Sequence, residues 1–268
     1  MTKPFDLALG YPQWQGSSRS TNILRGAKAA AEVCSRFAPL VSMHETNATG
    51  DAHGVHHWNA IYDQFCQAQR ILAEHRPRRL LAAGGDCAID IASIDYLNGV
   101  YPNLQVIWFD AHMDANTPET SPSGYFHGMP VSAIMGFAPE PMRRRLSAPV
   151  MSGQFKYYGI RVADPGDLAF GSTLDLGTLD ADQSFSGPVH IHFDLDVLDP
   201  VEFPYLSYRE PDGVSVATAL ALVRCIAMQA ELVGLTITEF APANEEEAQR
   251  GAIVIEQICQ AASPSQAR

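Results

Sequence analysis

Two acidic runs constrain this chain more than any other feature: Asp110-Ala-His112-Met-Asp114 and Asp194-Leu-Asp196. Each follows directly on an apolar, β-prone stretch, at 106–109 and 189–193. In a strand, residues i, i+2 and i+4 point to one side. Each run therefore aims its polar groups at one place, from the end of a buried strand. Carboxylates gathered in a fold interior repel one another and lose their hydration unless cations sit between them. The pattern points to a hard or borderline divalent metal, and to two such ions, because carboxylates can bridge. A metal pair can share a water that loses a proton more readily than bulk water does, which points to hydrolysis at neutral pH.

The rest of the chain supplies a scaffold of alternating elements. Apolar periodicity predicts strands over 5–9, 79–83, 104–109, 155–160, 189–193 and 232–238, and helices over 22–37, 57–74, 88–97, 214–228 and 245–262. Such alternation predicts an α/β fold, a mainly parallel sheet with helices on both faces. Pro-, Gly- and Ser-rich stretches at 116–130 and 200–213 follow strand ends, where an open α/β sheet binds its ligands. With 268 residues and no repeat or linker, a single domain over 1–268 is expected.

Composition excludes several classes. The net charge of −12, with no basic stripe, argues against nucleic acid. No apolar run approaches the ~18 residues of a membrane span, and the first residues lack a basic, apolar leader pattern. A cytoplasmic location is therefore expected. Five scattered cysteines, an odd number, argue against a disulfide framework.

A third segment, Leu80-Leu-Ala-Ala-Gly-Gly-Asp86-Cys87, reads as strand, glycine turn and helix start. The glycines allow close backbone approach, and a thiol at a helix N-terminus is expected to have a lowered pKa. The plainer alternative is that Cys87 fills a small space in the core.

Taken in order, Gly84-Gly-Asp-Cys87, Asp110-Ala-His-Met-Asp114, His127-Gly-Met-Pro130, Asp194-Leu-Asp-Val-Leu-Asp-Pro200 and Thr238-Glu239 resemble the motifs of the ureohydrolase family, which includes arginases and agmatinases. The resemblance implies a three-layer α/β/α sandwich around a mainly parallel sheet. It also implies two Mn²⁺ ions and hydrolysis of guanidino or amidino groups. Carried over by position, Asp110 and Asp194 bridge the metals. Asp114 and Cys87 complete one site, and His112 and Asp196 the other. Asp86 supports the site without ligating. His127 shuttles protons and Glu239 binds the guanidinium, so that with Asp114 these are the expected catalytic residues. Asn116, Ser123 and Tyr125 stand where arginases place Asn, Ser and Asn around the substrate's α-carboxylate; Tyr125 departs from that pattern. Asp164 and Asp167 match acidic positions that contact the α-amino group, although a β-turn alone would explain Asp164-Pro-Gly-Asp167. These matches imply a small guanidino amino acid as the partner, and the family implies a homo-oligomer.

Cys87 stands where the family normally has His. Thiolate is softer than imidazole and suits Mn²⁺ less well than Zn²⁺, Co²⁺ or Fe²⁺. It also adds a negative charge, which leaves a poorer Lewis acid and favours a substrate less basic than arginine. The chain is similar in this residue to a branch of arginase-like amidinohydrolases of cycloserine biosynthesis, which convert N-hydroxy-L-arginine to hydroxyurea and L-ornithine. Ordinary arginase, another ureohydrolase (agmatinase, guanidinobutyrase or formimidoylglutamase) and an inactive, metal-poor regulatory homologue are the alternatives. His53, His56 and His57 are expected to begin a helix rather than line a cleft.

Overall fold

The computed structural model describes residues 3–17, 20–180 and 183–263. Among them, eight strands form one sheet: β1 Leu7–Tyr11, β2 Leu40–Ser42, β3 Leu80–Gly84, β4 Gln105–Phe109, β5 Phe155–Tyr158, β6 Gly177–Thr178, β7 Pro188–Asp194 and β8 Glu231–Thr238. All pairings are parallel, in the order β2-β1-β3-β8-β7-β4-β5-β6. The central strands are buried on both faces, which is why β3 and β4 read as continuous apolar runs rather than alternating ones.

Strand alternation divides the core into two layers. Leu80, Ala82, Val106 and Trp108 pack with Trp58, Ile61, Phe65 and Ile94. Those partners come from the helices Trp58–His75 and Asp90–Val100. Leu81, Ala83, Ile107, Phe109 and Phe193 pack on the opposite side with Ala30, Val223 and Ile258. Those partners come from Ser20–Cys34, Val216–Gln229 and Glu245–Ala261. The expected three-layer sandwich around a parallel sheet is thus the observed one.

Local chemistry fixes the helix starts. Asn244 accepts from the Glu247 N–H at 3.0 Å, and three glutamates fill the first turn beside the positive end of the helix dipole. Ser215 accepts in the same way from Thr218 N at 3.2 Å.

Several short elements were not among those expected, including the helices Pro130–Ser132 and Glu140–Arg143. The edge strands β2 and β6, of three and two residues, are too short to produce a periodic signal. Asp164-Pro-Gly-Asp167 opens a helix, Pro165–Leu174, so the alternative of an isolated β-turn does not hold. Proline is tolerated in the first turn, and Asp167 Oδ2 accepts from Asp164 N at 2.8 Å. No helix among the described residues is long and apolar enough to cross a membrane.

The connection from β3 to β4 skips two positions in the sheet, which β8 and β7 later fill. The carboxyl ends of β3, β8, β7 and β4 therefore lie side by side at a switch in strand order, where open α/β sheets bind ligands. One tight contact supports this end of the sheet: a Cβ on Gly26 would lie 1.7 Å from the Phe240 carbonyl oxygen, directly after Glu239. Gly26→Ala should therefore destabilise the protein by about 1–3 kcal/mol, despite alanine's better helix propensity. Calorimetry should show the melting temperature falling by roughly 2–4 °C per kcal/mol. An unchanged or raised melting temperature would show that this contact does not restrain the loop.

Candidate metal centre

Each strand end delivers one part of the centre. Asp110 follows β4, Asp194 closes β7, Glu239 follows β8, and β3 turns through Gly84 and Gly85 into Asp86 and Cys87. The turn after β3 must be glycine, because a Cβ on Gly85 would lie 1.2 Å from the Gln13 carbonyl oxygen. Asp86 accepts from Gln13 Nε2 and Gly16 N at 2.9 Å each and from Ala88 N at 3.1 Å. It thus ties the segment after β1 to the turn carrying Cys87. Burial pushes Asp86 up to about 6, against the pull of those hydrogen bonds.

The sequence runs converge as their spacing predicts. Asp110 Oδ1 accepts from His112 N at 2.6 Å, and its Oδ2 from Trp108 Nε1 at 2.9 Å. Asp194 Oδ1 accepts from Asp196 N at 2.7 Å, and its Oδ2 from Cys87 Sγ at 2.7 Å. Asp196 holds His112 Nδ1 at 2.9 Å and accepts from Ala111 N at 3.0 Å. Two groups of potential ligands result, each with ligand atoms within 4.8 Å of one another: Cys87, Asp110, His192 and Asp194, and Asp110, His112 and Asp196. Asp110 belongs to both, whereas Asp194 falls in one and Asp114 in neither. His192 was not singled out from sequence. The available signal was its i−2 spacing from Asp194, which places it on the same strand face.

Asp114 and Glu239 each hold a left-handed backbone, with φ of 50° and 59°. Non-glycine residues keep such conformations only where their surroundings impose them. Asp114 Oδ2 and both Glu239 carboxylate oxygens are buried without a hydrogen-bond partner.

Electrostatics shows that these carboxylates resist ionising together, a penalty that bound cations would relieve. Burial raises the pKa of Asp110, Asp114, Asp194 and Glu239, and the neighbouring carboxylates raise them further. Asp196 is lowered, because the hydrogen bond and charge of His112 outweigh its burial. His112 is raised in turn, its bonds to Asp110 and Asp196 overcoming desolvation. Cys87 corrects the sequence expectation: burial, followed by the charge of Asp194, pushes its thiol up rather than down. The mixed carboxylate, thiol and imidazole donors, with orphaned oxygens beside them, fit a pair of divalent ions.

Beside these groups lies a cleft of about 180 Å³, lined by His112, Asp114, Asn116, Ser123, His127, Asp164, Asp167 and Tyr208 among others. Tyr125 is not among the lining residues; its ring packs on His56, with centroids 4.8 Å apart. Glu239 is buried rather than exposed on the cleft surface. Asn116 Nδ2 donates to Asp167 Oδ1 at 2.9 Å and to Asp164 Oδ2 at 3.3 Å. Asp167 also accepts from Ala115 N and Asp164 N, so it cross-links two loops. His57 immediately precedes the helix Trp58–His75, and Asp51 holds the His57 N–H at 2.8 Å. His53, His56 and His57 all lie outside the cleft lining.

Sequence reasoning missed three further contributors from or beside the loop at 200–213. Tyr208 stacks on His127, with centroids 5.2 Å apart and planes 15° apart. Glu210 Oε1 stands 3.6 Å from His112 Nε2. Arg161 donates to the carbonyls of Asp196 at 2.7 Å, Pro211 at 2.9 Å and Glu210 at 3.1 Å, clamping that loop to the second acidic run. Loop residues of this kind carry no periodic signal.

Fold and site together define a three-layer α/β protein with two adjoining candidate metal positions at its strand ends. The profile of the arginase family matches residues 4–263, and the chain belongs to the arginase family. It is 30% identical over 204 residues to an arginase of Schizosaccharomyces pombe, which covers 67% of this chain and 62% of that protein. The matched stretch is therefore less than two thirds of that relative's length. An Entamoeba histolytica arginase solved in complex with L-ornithine superposes with a TM-score of 0.84 over 99% of both chains at 22% identity. Formimidoylglutamase from Bacillus subtilis superposes with a TM-score of 0.71 at 17% identity, over 98% of this chain and 87% of that one. At these identities the likeness is one of fold.

Asp86 offers a direct test of how the turn bearing Cys87 is held. Asp86→Ala leaves the buried Gln13 amide and Gly16 N–H without acceptors, a loss of about 2–4 kcal/mol. Urea unfolding should show the midpoint falling accordingly. A midpoint equal to that of the parent protein would remove Asp86 as the anchor.

Proposed function

We propose that this protein is a dinuclear-metal amidinohydrolase that cleaves the guanidino C–N bond of an arginine-like amino acid. Its favoured substrate is N-hydroxy-L-arginine, which would yield hydroxyurea and L-ornithine. The observation that carries the reading is a polar cleft beside two candidate metal positions that share Asp110, with Cys87 in the donor set of one. When bound, a pair of divalent ions, Mn²⁺ by family expectation, would activate water and polarise the guanidino carbon.

The chain's own residues provide the rest. Asp110, Asp114, Asp194 and Asp196, with His112 and Cys87, would hold the ions. Glu239 offers two buried, unpartnered oxygens, the acceptor pair that a planar guanidinium requires. His127 lies in the cleft lining against Tyr208, placed to carry a proton between solvent and the leaving amine. Ser123 and Asp164 lie in the same lining, where a substrate's α-carboxylate and α-amino groups would sit. Asn116 and Asp167 support that rim through their mutual bond.

Cys87 supports the choice between substrates. Four carboxylates against two divalent ions give a formal charge near zero, and a thiolate makes it about −1. Such a site holds the proton of an activated water more tightly and is a poorer Lewis acid. An N-hydroxyguanidine suits it, because the electronegative oxygen lowers the basicity of the group. The arginases among the relatives support ordinary arginine as the second reading.

A substrate panel scored for urea, hydroxyurea and ammonia tests the assignment. The expected result is a higher kcat/KM for N-hydroxy-L-arginine than for L-arginine, with hydroxyurea as product. Equal efficiency on the two would sink the preference. Metal analysis of protein purified without chelator should find up to two ions per chain; near-zero metal, with no gain on adding Mn²⁺, would favour a regulatory homologue. Cys87→His should strengthen Mn²⁺ retention and raise activity on L-arginine. If a metal titration and an arginase assay both show no gain, the charge argument fails.

A further inference from the structure

We propose that His192 is a direct ligand, through Nε2, of the metal ion held by Cys87, Asp110 and Asp194. The proposal rests on the dinuclear reading above and adds a donor from the interior of β7. Along that strand Val189, Ile191 and Phe193 enter one core layer. His190 and His192 turn to the other side and are fully buried. Two imidazoles inside a parallel strand require partners to offset their desolvation. Both meet a single carboxylate: Asp90 Oδ2 lies 2.8 Å from His190 Nε2 and 2.9 Å from His192 Nδ1. Thr236 Oγ1 donates to Asp90 Oδ1 at 2.6 Å.

These bonds set the tautomer of His192. A carboxylate can only accept, so the ring proton resides on Nδ1 and the lone pair on Nε2. A carboxylate behind an imidazole is the arrangement that orients metal-binding histidines. Trp108 fixes the ring plane, stacking at 3.4 Å between centroids with planes 4° apart. The same indole donates Nε1–H to Asp110 Oδ2 at 2.9 Å, so one side chain orients both the histidine and the carboxylate common to the two sites.

The free nitrogen faces the cluster. His192 offers a ligand atom within 4.8 Å of those of Cys87, Asp110 and Asp194. With Nδ1 engaged by Asp90, that atom is Nε2. It stands 3.4 Å from Thr238 Oγ1, which is itself 3.6 Å from Cys87 Sγ and 3.5 Å from Asp194 Oδ2. The plainer account makes Nε2 merely the acceptor of the Thr238 hydroxyl. That contact is longer than the roughly 2.7–3.2 Å of a well-formed bond and gives the stacked, carboxylate-backed ring nothing else to do. As a ligand, His192 returns to the site the imidazole that position 87 lacks, and it adds no charge. One ion then has a thiolate and an imidazole among its donors, while the other has carboxylates and one imidazole. The first position should accordingly favour Co²⁺ or Zn²⁺ over Mn²⁺ more strongly than the second.

Proton NMR of the cobalt-loaded protein tests this directly, since each cobalt-bound imidazole gives one hyperfine-shifted, exchangeable ring N–H. With two Co²⁺ bound, the wild type should show two such signals, from His112 and His192, and His192→Gln should lose one of them. By metal titration His192→Gln should weaken one of the two sites by at least about 100-fold, beyond the roughly 10–100-fold of losing an orienting group, which Asp90→Asn should show. The sulfur-to-cobalt charge-transfer band should disappear with that site. Two bound ions with a single imidazole N–H in the wild type would overturn the assignment of His192 and leave the dinuclear reading intact. A wild type that binds no Co²⁺ would overturn both.

Discussion

Carboxylates buried together at the ends of neighbouring strands repel one another, and much of the surrounding structure resists that repulsion. Asp110, Asp194 and Asp196 each accept a backbone N–H from a residue in or beside the acidic runs, which fixes the carboxylates before any ion arrives. His112 lies between Asp110 and Asp196 and offsets part of their charge. What these contacts leave unsatisfied is specific: the orphaned oxygens of Asp114 and Glu239. Unpartnered acceptors beside clustered carboxylates are a setting that bound cations would relieve.

Topology makes such a concentration possible. A sheet that added strands in chain order would place the two acidic runs beside different neighbours. Here the crossover from β3 to β4 leaves room for β8 and β7, so segments from four distant parts of the chain meet at one edge. The loops that close over this edge are held by charged side chains as well as by buried apolar anchors such as Phe126 and Phe203. Asp86 holds the segment after β1, Asp167 the loop after β4, and Arg161 the loop after β7. Each is a charged group facing backbone polar atoms, which fixes the shape of the rim.

Much of this was legible in the sequence, for a physical reason. Parallel strands buried on both faces must be apolar, so carboxylates directly after them stand out, and their period of two assigns them to one point. The six longer strands and five helices followed from periodicity, and the convergence of Asp110, His112, Asp194 and Asp196 from spacing. What stayed hidden depends on tertiary contact. Tyr125 reads as a substrate contact by position, yet its ring is drawn to His56. In Asp164-Pro-Gly-Asp167 the sequence leaves a bare turn open as an alternative, and the bonds of Asp167 back to Asp164 and across to Asn116 are visible only in the fold. The direction of the Cys87 shift is set first by its burial and then by the charge of Asp194, neither of which a local motif shows.

His192 exposes the limit of reading a strand as an apolar object. The stretch Val189-His-Ile-His-Phe193 passes as β-prone because every second residue is apolar, and the intervening histidines look like tolerated exceptions. Two-faced burial changes their meaning. With no solvent on either side of the sheet, an alternating polar residue has no outer face to occupy and must be satisfied inside. Asp90 meets both histidines, and being one carboxylate it does so from behind, through one nitrogen of each ring, which leaves His190 Nδ1 buried without a partner. The second nitrogen of His192 then points along the strand face towards Asp194, whose side chain occupies that face two residues later. A polar pair at i and i+2 that ends a doubly buried strand therefore reads as one functional unit, and the depth of a site can extend a full strand repeat below the residues that mark its mouth.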